Sequence, residues 1–289
     1  MNYIFGVDGG GTGCRVGLAD KDGNIISRVE GGPANIETSF TTAENNIITA
    51  CKKALAKAGL KESILKESFA VLGLAGSNMG DFDKDLSVRL PFKKNTIIND
   101  GEITLQGAIG SSDGCIAAIG TGSVYVGRSR GIVRQIGGWG FSLGDDGSGA
   151  QLGHKLFKVA IKCHENLERH SGLTQQIMNN FNNQIVNVVK ATHNFEPMDF
   201  AQYAPLIFSF YLKGDEHAHR IINEEIPVIE KSIIASGFNK KYPFCLLGGL
   251  GELYRDFINP KFCENIVLPK ADAVVGAVDI ACKHYQKDL

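Results

Sequence analysis

The stretch that decides the fold is FGVDGGGTGCRVGL, which occupies residues 5–18. An apolar run enters a turn made almost entirely of glycine, and a second alternating run follows, a pattern that predicts a β-hairpin. Three consecutive glycines leave backbone N–H groups uncovered, so an anion such as a phosphate can approach them closely. Asp8 is placed to hold Mg²⁺ through water, and the Thr12 hydroxyl is placed to reach a phosphate oxygen. On these residues alone, a tight hairpin whose glycines serve only positive-φ positions explains the pattern equally well.

A second copy of the pattern separates the two interpretations. Residues 115–127, CIAAIGTGSVYVG, again form an apolar run, a Gly/Thr/Gly turn and an alternating run. Two phosphate-type hairpins in one chain indicate a duplicated domain with a nucleotide held between the halves. The segments VDGGGT and IGTGS resemble the two phosphate motifs of the superfamily of sugar kinases, Hsp70 and actin. The resemblance implies an α/β fold of two ribonuclease-H-like (actin-like ATPase) domains, with mixed β-sheets and an interdomain cleft.

The composition is that of an ordinary globular protein. The chain has 289 residues, enough for two modest domains, and 43% of them are hydrophobic and 21% charged. Thirty basic and 31 acidic residues give a net charge of −1, so nothing attracts nucleic acid or an anionic membrane. The first residues show no signal-peptide pattern, and no apolar run approaches the roughly 20 residues that span a bilayer. We therefore expect a cytoplasmic protein.

The order of predicted elements supports two mixed sheets. The first half has the order β-β-β-α-β-α-β-α, and its continuous apolar strand at 69–74 suits a central position. After the second hairpin a strand is predicted at 244–247 and a last one at 266–268. Between the strands of the second half the pattern is mainly helical, near 150–163, 173–192, 199–212 and 217–236.

This order also predicts where the chain divides. We place an N-terminal actin-like domain at 1–107 and a C-terminal one at 108–289. The last helix, at about 271–289, is expected to pack near the domain interface.

Asp100 is the best candidate for a general base. It follows a short strand at 96–99, and open α/β sheets bind their ligands at the carboxyl ends of strands. Because Asp100 also opens a helical run, it suits an N-cap, and position alone favours the cap. The segments NDG at residues 99–101 and GA at residues 107–108 resemble the first connecting motif of the superfamily, which carries the kinases' catalytic Asp. By that resemblance, Asp100 is catalytic.

The glycine-rich loop at residues 137–149 is the next informative stretch. Trp139, the only tryptophan, lies among glycines, where it can stack on the apolar face of a sugar or simply anchor the loop. Asp145 and Asp146 precede a helix, so one of them suits a cap while the other accepts hydrogen bonds from sugar hydroxyls.

The loop narrows the resemblance to one branch of the superfamily. GGWG followed by GDDGSG is similar to a stretch of N-acetylglucosamine kinases. Those kinases belong to the branch of the superfamily that also contains bacterial glucosamine kinases and the BadF/BadG/BcrA/BcrD ATPases. The similarity runs through PAN and LAGS to LGG and the last helix, which resembles the second connecting motif. It implies sugar-binding and nucleotide-binding residues. The implied sugar ligands are Asn35, Gly76, Ser77, Trp139 and Asp145. The implied nucleotide ligands are Asp8, Gly10, Gly11, Thr12, Thr121, Gly122, Gly248 and Gly249, with Mg²⁺ at Asp8 through water.

The resemblance implies an ATP-dependent, Mg²⁺-requiring kinase that phosphorylates the 6-hydroxyl of N-acetylglucosamine or glucosamine, in a homodimer. Two features point to different sugars. Asn35 is followed by Ile36-Glu37-Thr38, whereas animal N-acetylglucosamine kinases have a Trp shortly after this Asn, so this segment is more like the bacterial glucosamine kinases. The loop that contains Trp139, in contrast, resembles that of the N-acetylglucosamine kinases. The identity of the sugar stays open.

Two other functions compete with the kinase. The first is an ATP-driven conformational switch, like the reductase and dehydratase activators of the same branch, which hold an iron–sulfur cluster between subunits. The seven cysteines are scattered, and neither Cys115, which begins an apolar strand, nor Cys163, which ends a helical run, has a cluster-like setting. The second is a sugar sensor without turnover, which the presence of Asp100 disfavours.

Overall fold

The computed structural model describes residues 3–77 and 81–286. The strands are β1 (Ile4–Gly9), β2 (Cys14–Ala19), β3 (Ile25–Gly31), β4 (Phe69–Leu74), β5 (Lys94–Ile98), β6 (Gly114–Ile119), β7 (Ser123–Ser129), β8 (Ile132–Gly137) and β9 (Phe244–Leu247). The helices are α1 (Phe40–Lys57), α2 (Phe82–Arg89), α3 (Asp100–Ile109), α4 (Gly149–His164), α5 (Gly172–Asn180), α6 (Ile185–Thr192), α7 (Pro197–Ala201), α8 (Ala204–Tyr211), α9 (Glu216–Ser236), α10 (Gly251–Tyr254), α11 (Pro260–Cys263) and α12 (Ala273–His284). A 3₁₀ helix spans Glu62–Glu67.

The described chain forms two compact units. Unit 1 comprises the residues up to Ser112 together with those from Leu268 onwards, and unit 2 comprises Asp113–Val267. The predicted boundary at residues 107 and 108 falls inside α3, and α12, predicted in the second domain, belongs to unit 1. The independent domains 1–107 and 108–289 stay a prediction.

Unit 1 is built on a mixed sheet with the strand order β3-β2-β1-β4-β5. The neighbours β1, β2 and β3 are antiparallel, whereas β1, β4 and β5 run parallel. The six residues of β4 are all buried, as its continuous apolar sequence predicts for a central strand. The predicted order of elements in the first half of the chain is confirmed.

Helices cover both faces of this sheet. The buried side of α1 packs with β2 and β3, while α12 and α3 lie together on the opposite face. Glycine allows α3 and α12 to cross closely. A Cβ on Gly107 of α3 would overlap the Asp272 carbonyl, and a Cβ on Gly276 of α12 would overlap the Ile103 carbonyl. These glycines belong to the two connecting motifs of the sequence resemblance. The contact fixes α3, and therefore its first residue Asp100, against the sheet.

Unit 2 has a four-stranded sheet with the order β8-β7-β6-β9, in which only the β6–β9 pair is parallel. The strand predicted at 266–268 is wrong, because Ile266 makes only an isolated parallel bridge to Phe244. The strand β8, which ends at the start of the glycine-rich loop, is not among the elements predicted from the sequence.

The helices of unit 2 bury a large apolar cluster against one face of its sheet. The predicted segment 173–192 is interrupted between α5 and α6, where Asn182 and Asn183 adopt positive φ values of 56° and 55°. The predicted segment 199–212 likewise divides into α7 and α8. Among the described residues, no helix is both long and apolar enough to cross a bilayer.

Candidate active site

The first hairpin joins β1 to β2 through the turn Gly10–Gly13. The Gly10 N–H donates to the Gly13 carbonyl at 2.9 Å, and the Gly10 carbonyl accepts from the Ala34 N–H at 2.9 Å. Neither Gly10 nor Gly11 has a positive φ, and a Cβ on Gly11 would meet no atom within 4 Å. The competing explanation, that these glycines serve positive-φ positions, is therefore wrong for both. The open space beside Gly11 is what close approach of a phosphate requires.

Asp8 and Thr12 flank this turn. The side chain of Asp8 is 13% exposed, and Arg15, its partner across the hairpin, donates from Nη2 to Asp8 Oδ2. Burial raises the pKa of the Asp8 carboxyl above its usual value, against the opposing effect of the Arg15 guanidinium. Thr12 is exposed in the turn. Sequence reasoning missed Arg15, although counting outward from the turn would have paired it with Asp8.

Asp100 lies at the first residue of α3, directly after β5 and Asn99. Asn99 is the N-cap, and its side chain accepts from the Gly101 N–H at 2.8 Å, so the cap role predicted for Asp100 belongs to its neighbour. The Asp100 Oδ1 also accepts from the Gly101 N–H, at 3.0 Å. Burial raises the pKa of Asp100, and the negative charge of Asp8 adds to the effect. The structure therefore brings Asp8 and Asp100 together as two interacting carboxyl groups.

The predicted sugar residues of unit 1 lie on two adjacent segments. The Ile36 N–H donates to the Ala75 carbonyl at 3.2 Å, and a Cβ on Gly76 would lie 2.8 Å from Asn35 Oδ1. Asn35 Oδ1 itself accepts from the Glu37 N–H at 2.9 Å. Ser77 Oγ is buried and has no hydrogen-bond partner among the described residues. Asn35, Gly76 and Ser77 thus lie on two segments that are hydrogen-bonded to each other.

The second hairpin joins β6 to β7 through Gly120–Gly122. The Gly120 N–H donates to the Gly122 carbonyl at 2.9 Å, and the Gly120 carbonyl accepts from the Gly149 N–H at 2.8 Å. A Cβ on Gly120 would meet no atom within 4 Å. Thr121 Oγ1 donates to Met198 Sδ at 3.4 Å, a contact that nothing in the sequence pattern indicated. A thioether is a weak acceptor, so this hydroxyl remains available to a phosphate oxygen.

Gly248 and Gly249 follow β9 and play different parts. Gly248 has a φ of +81°, and a Cβ there would overlap the backbone of Ile119, the last residue of β6. Gly249 has no positive φ, and a Cβ there would meet no atom within 4 Å. The first glycine is therefore required by the fold, whereas the second leaves room for a ligand.

The glycine-rich loop places Asp145 against the second hairpin. A Cβ on Gly122 would lie 2.8 Å from Asp145 Oδ2, and the backbone N–H groups of Ser123 and Gly140 donate to the Asp145 carboxylate. Burial raises the pKa of this carboxyl, which those N–H groups oppose. Neither Asp145 nor Asp146 caps α4, because the N-cap is Ser148. The predicted cap role is therefore wrong.

Trp139 does not anchor the loop. Trp139 is 58% exposed, whereas Gln151 holds the loop by donating from Nε2 to the carbonyls of Phe141 at 2.7 Å and Gly144 at 2.8 Å. The indole is therefore available for stacking.

The two cysteines weighed as cluster ligands, Cys115 and Cys163, are buried thiols. Cys115 and Cys163 are each 1% exposed, and burial raises the pKa of Cys115 to about 12. Iron–sulfur clusters are held by thiolates, which such burial disfavours.

A mixed sheet with a glycine turn after its first strand, present in each unit, is the architecture of the actin-like ATPase class. The chain belongs to the BadF/BadG/BcrA/BcrD ATPase family, which it matches over residues 5–281. The fold class predicted from the sequence is confirmed.

Two enzymes and one solved structure are similar to the chain over nearly its whole length. It is 30% identical to the glucosamine kinase of Vibrio cholerae serotype O1, over 98% of this chain and 97% of that protein. It is 29% identical to the N-acetylmuramic acid/N-acetylglucosamine kinase of Clostridium acetobutylicum, over 97% and 98% of the two chains. The structure of the "putative N-acetylglucosamine kinase" of Chromobacterium violaceum superimposes with a TM-score of 0.86 at 29% identity, covering 96% and 97%.

Proposed function

We propose that the protein is an ATP-dependent amino-sugar kinase. It transfers the γ-phosphate of ATP to the 6-hydroxyl of N-acetylglucosamine or glucosamine and releases the sugar 6-phosphate and ADP. The family membership and the two relatives named as amino-sugar kinases support this proposal. Assembly as a homodimer stays a prediction.

The observation that carries the proposal is the setting of Asp100. Its carboxyl lies at the carboxyl end of a strand, and its neighbour Asn99 takes the capping role. Burial raises its pKa above the usual value, which makes the carboxylate a stronger proton acceptor. Asp100 takes the proton of the 6-hydroxyl while that oxygen forms a bond to the γ-phosphorus. The bond from the γ-phosphorus to the bridging oxygen breaks, and its electron pair leaves with ADP.

Asp8 suits a magnesium ion held through water. Its carboxylate supplies hard oxygen ligands, is partly exposed, and lies beside a second carboxyl group. When bound, Mg²⁺ neutralises negative charge on the phosphates.

The remaining candidate residues divide between phosphate and sugar. The two glycine turns hold the phosphates, one through Gly10, Gly11 and Thr12 and the other through Thr121 and Gly122. Space for the phosphates lies beside Gly11 and Gly120, and Gly249 leaves room for the adenosine. Asn35, Gly76, Ser77 and Asp145 offer hydrogen bonds to the sugar hydroxyls, and Trp139 stacks on the apolar face of the ring.

The test is a coupled assay of ADP release with Mg²⁺ and ATP, in the presence of N-acetylglucosamine, glucosamine, glucose or no sugar. We expect turnover that depends on one amino sugar, with the phosphate found on its 6-position by NMR of the product. Turnover that is independent of sugar would refute the kinase and favour the ATPase switch. An absence of turnover with every sugar would also contradict the proposal.

A further inference from the structure

A buried carboxylate lies beneath the glycine-rich loop, outside the residues assigned to the reaction. Glu225, on α9, is only 3% exposed. Its Oε2 accepts from the Gly147 N–H at 2.7 Å, and its Oε1 lies 2.5 Å from Lys155 Nζ on α4. Both oxygens of this carboxylate therefore have a partner, one of them in the loop.

The partner in the loop is tied directly to the second hairpin. The carbonyl of Asp146, the residue before Gly147, accepts from Ser123 Oγ at 2.8 Å and from Tyr125 Oη at 3.4 Å. Ser123 is the first residue of β7, immediately after the hairpin turn. Glu225 and the hairpin thus bond to two consecutive residues of the turn at 145–148.

The turn needs such support because its backbone is strained. Asp145 has a φ of 59°, in the left-handed region that non-glycine residues adopt at a cost of about 1–3 kcal/mol. Gly147 also has a positive φ, and a Cβ there would lie 2.6 Å from Ile229 Cγ1 of α9. The turn is therefore pressed against the helix that carries Glu225.

Stability alone does not account for an ion pair at this place. The Glu225 carboxylate loses its hydration on burial, whereas Lys155 is still 35% exposed and also pairs with Glu224 at 3.1 Å. A well-packed apolar pair of similar size is often as stable as an ion pair with a buried member, or more so. An apolar side chain cannot accept the Gly147 N–H, however, so it cannot fix the turn in the same way.

We propose that Glu225, paired with Lys155, is a positioning residue that holds the turn at residues 145–148 and thereby sets the Asp145 carboxylate against the second hairpin. The kinetic part of this inference rests on the proposed kinase function. Because Asp145 and Trp139 belong to the same loop and are assigned to the sugar, loss of Glu225 should affect the sugar more than ATP.

Three variants test the inference. E225Q keeps the shape of the side chain and removes its charge. K155M/E225L replaces the ion pair by apolar side chains of similar size, which separates support of the fold from positioning of the turn. K240Q/E264Q is the matched control, since Lys240 and Glu264 form an exposed ion pair at 3.2 Å in the same unit.

The chain carries its own probe of the loop. Trp139 is the only tryptophan, so fluorescence anisotropy and acrylamide quenching report on the loop alone. We expect K155M/E225L to melt within about 4 °C of the wild type. Its Trp139 anisotropy should nevertheless fall, and the KM for the sugar should rise by about tenfold to a hundredfold, with a much smaller change in the KM for ATP. E225Q should show the same changes to a smaller degree, and K240Q/E264Q none.

Wild-type anisotropy and wild-type sugar KM in K155M/E225L would overturn the inference. If that variant fails to fold, E225Q decides in the same way, and an E225Q that melts lower with unchanged anisotropy and sugar KM shows a purely structural role. If the wild type phosphorylates no amino sugar, the proposed function fails by itself, and the Trp139 signal still decides whether Glu225 positions the loop.

Discussion

The two hairpins share a backbone arrangement and differ in charge. In both, the carbonyl of the first residue of the turn accepts a hydrogen bond from the segment that follows the third strand of the sheet. The donor is the Ala34 N–H in unit 1 and the Gly149 N–H in unit 2. In both, the carbonyl of the last residue of the first strand accepts a hydrogen bond from the segment that follows the parallel neighbouring strand. The donor is the Ala75 N–H after β4 in unit 1 and the Leu250 N–H after β9 in unit 2. The glycine turn is thus fixed by the same two hydrogen bonds in each unit, which leaves the outer face of the turn open.

The side chains beside the turns are different. Across the first hairpin Asp8 pairs with Arg15, whereas the equivalent pair in the second hairpin is Ala118 with Val124. The second hairpin receives its carboxylate, Asp145, from a loop instead. We infer that both turns are phosphate cradles, and that the ionisable groups for metal and proton chemistry belong to unit 1.

The largest effect should come from Asp100. We expect D100N to lower kcat by roughly 10²–10⁴, because Asn cannot accept the proton of the sugar hydroxyl. The KM for ATP should change little, since Asp100 is not assigned to the nucleotide. Steady-state kinetics with the preferred sugar measure both values.

D145N is the comparison for this variant in unit 2. Asn tolerates the positive φ and keeps an acceptor, so we expect a loss of about tenfold only. An equal or greater loss in D145N would place the essential carboxylate in unit 2 and break the contrast between the units.

The adjacent glycines after β9 should separate folding from binding. G249A adds a methyl group in open space, so we expect stability within about 0.5 kcal/mol of the wild type and ATP affinity lowered about tenfold. G248A must adopt a φ of +81° and overlaps Ile119, so we expect it to destabilise the fold by about 2–4 kcal/mol. Urea unfolding and nucleotide titration measure the two effects. Equal loss of stability in both variants would contradict the open space at Gly249.

The smallest expected effect is a gain in the free energy of unfolding of the D100N variant. Because the folded protein raises the pKa of Asp100, it binds that proton more tightly than the unfolded chain does. The stabilising contribution is therefore complete below the unfolded pKa of about 3.9 and is lost as the pH rises through the raised pKa. At neutral pH, D100N removes a partly buried charge and should raise the free energy of unfolding by about 0.5–2 kcal/mol.

Thermal melts of D100N at neutral and acidic pH measure this gain, which should shrink on acidification. D81N is the control, because Asp81 is exposed and Lys84 holds the pKa of its carboxyl below the usual value. We expect no gain in D81N. A D100N protein less stable than the wild type at neutral pH would contradict the raised pKa.

The sequence predicts the parts of this fold that local patterns determine. The glycine turns, the buried strand β4 and the order of elements in the first half are visible because period-2 alternation, apolar runs and turn residues coincide. The strand β8 was not predicted, because it lies at the edge of its sheet, where its residues are exposed or half-buried and give no clear alternation. At 266–268 the apolar run is too short, and only one residue bridges to β9.

Local sequence patterns do not predict features that depend on tertiary contacts. His217 lies in a charged helical stretch of the sequence, yet it is 5% exposed, with Nε2 lying 2.8 Å from the Arg169 carbonyl oxygen. Asp100 looks like a cap until the structure shows that Asn99 caps the helix. Glu225 carries no sequence signal, because its burial depends on contacts with residues about 70 positions away.

The most direct test of the account is the affinity of both hairpins for a nucleotide. Isothermal titration would compare binding of a non-hydrolysable ATP analogue with Mg²⁺ to the wild type, G11V, G120V and S129V. Gly11 and Gly120 face open space, and exposed Ser129 lies at the far end of β7 as the control. We expect G11V and G120V to fold like the wild type and each to bind at least about tenfold more weakly, with S129V unchanged. Wild-type affinity in either glycine variant would contradict the claim that both turns hold the phosphates.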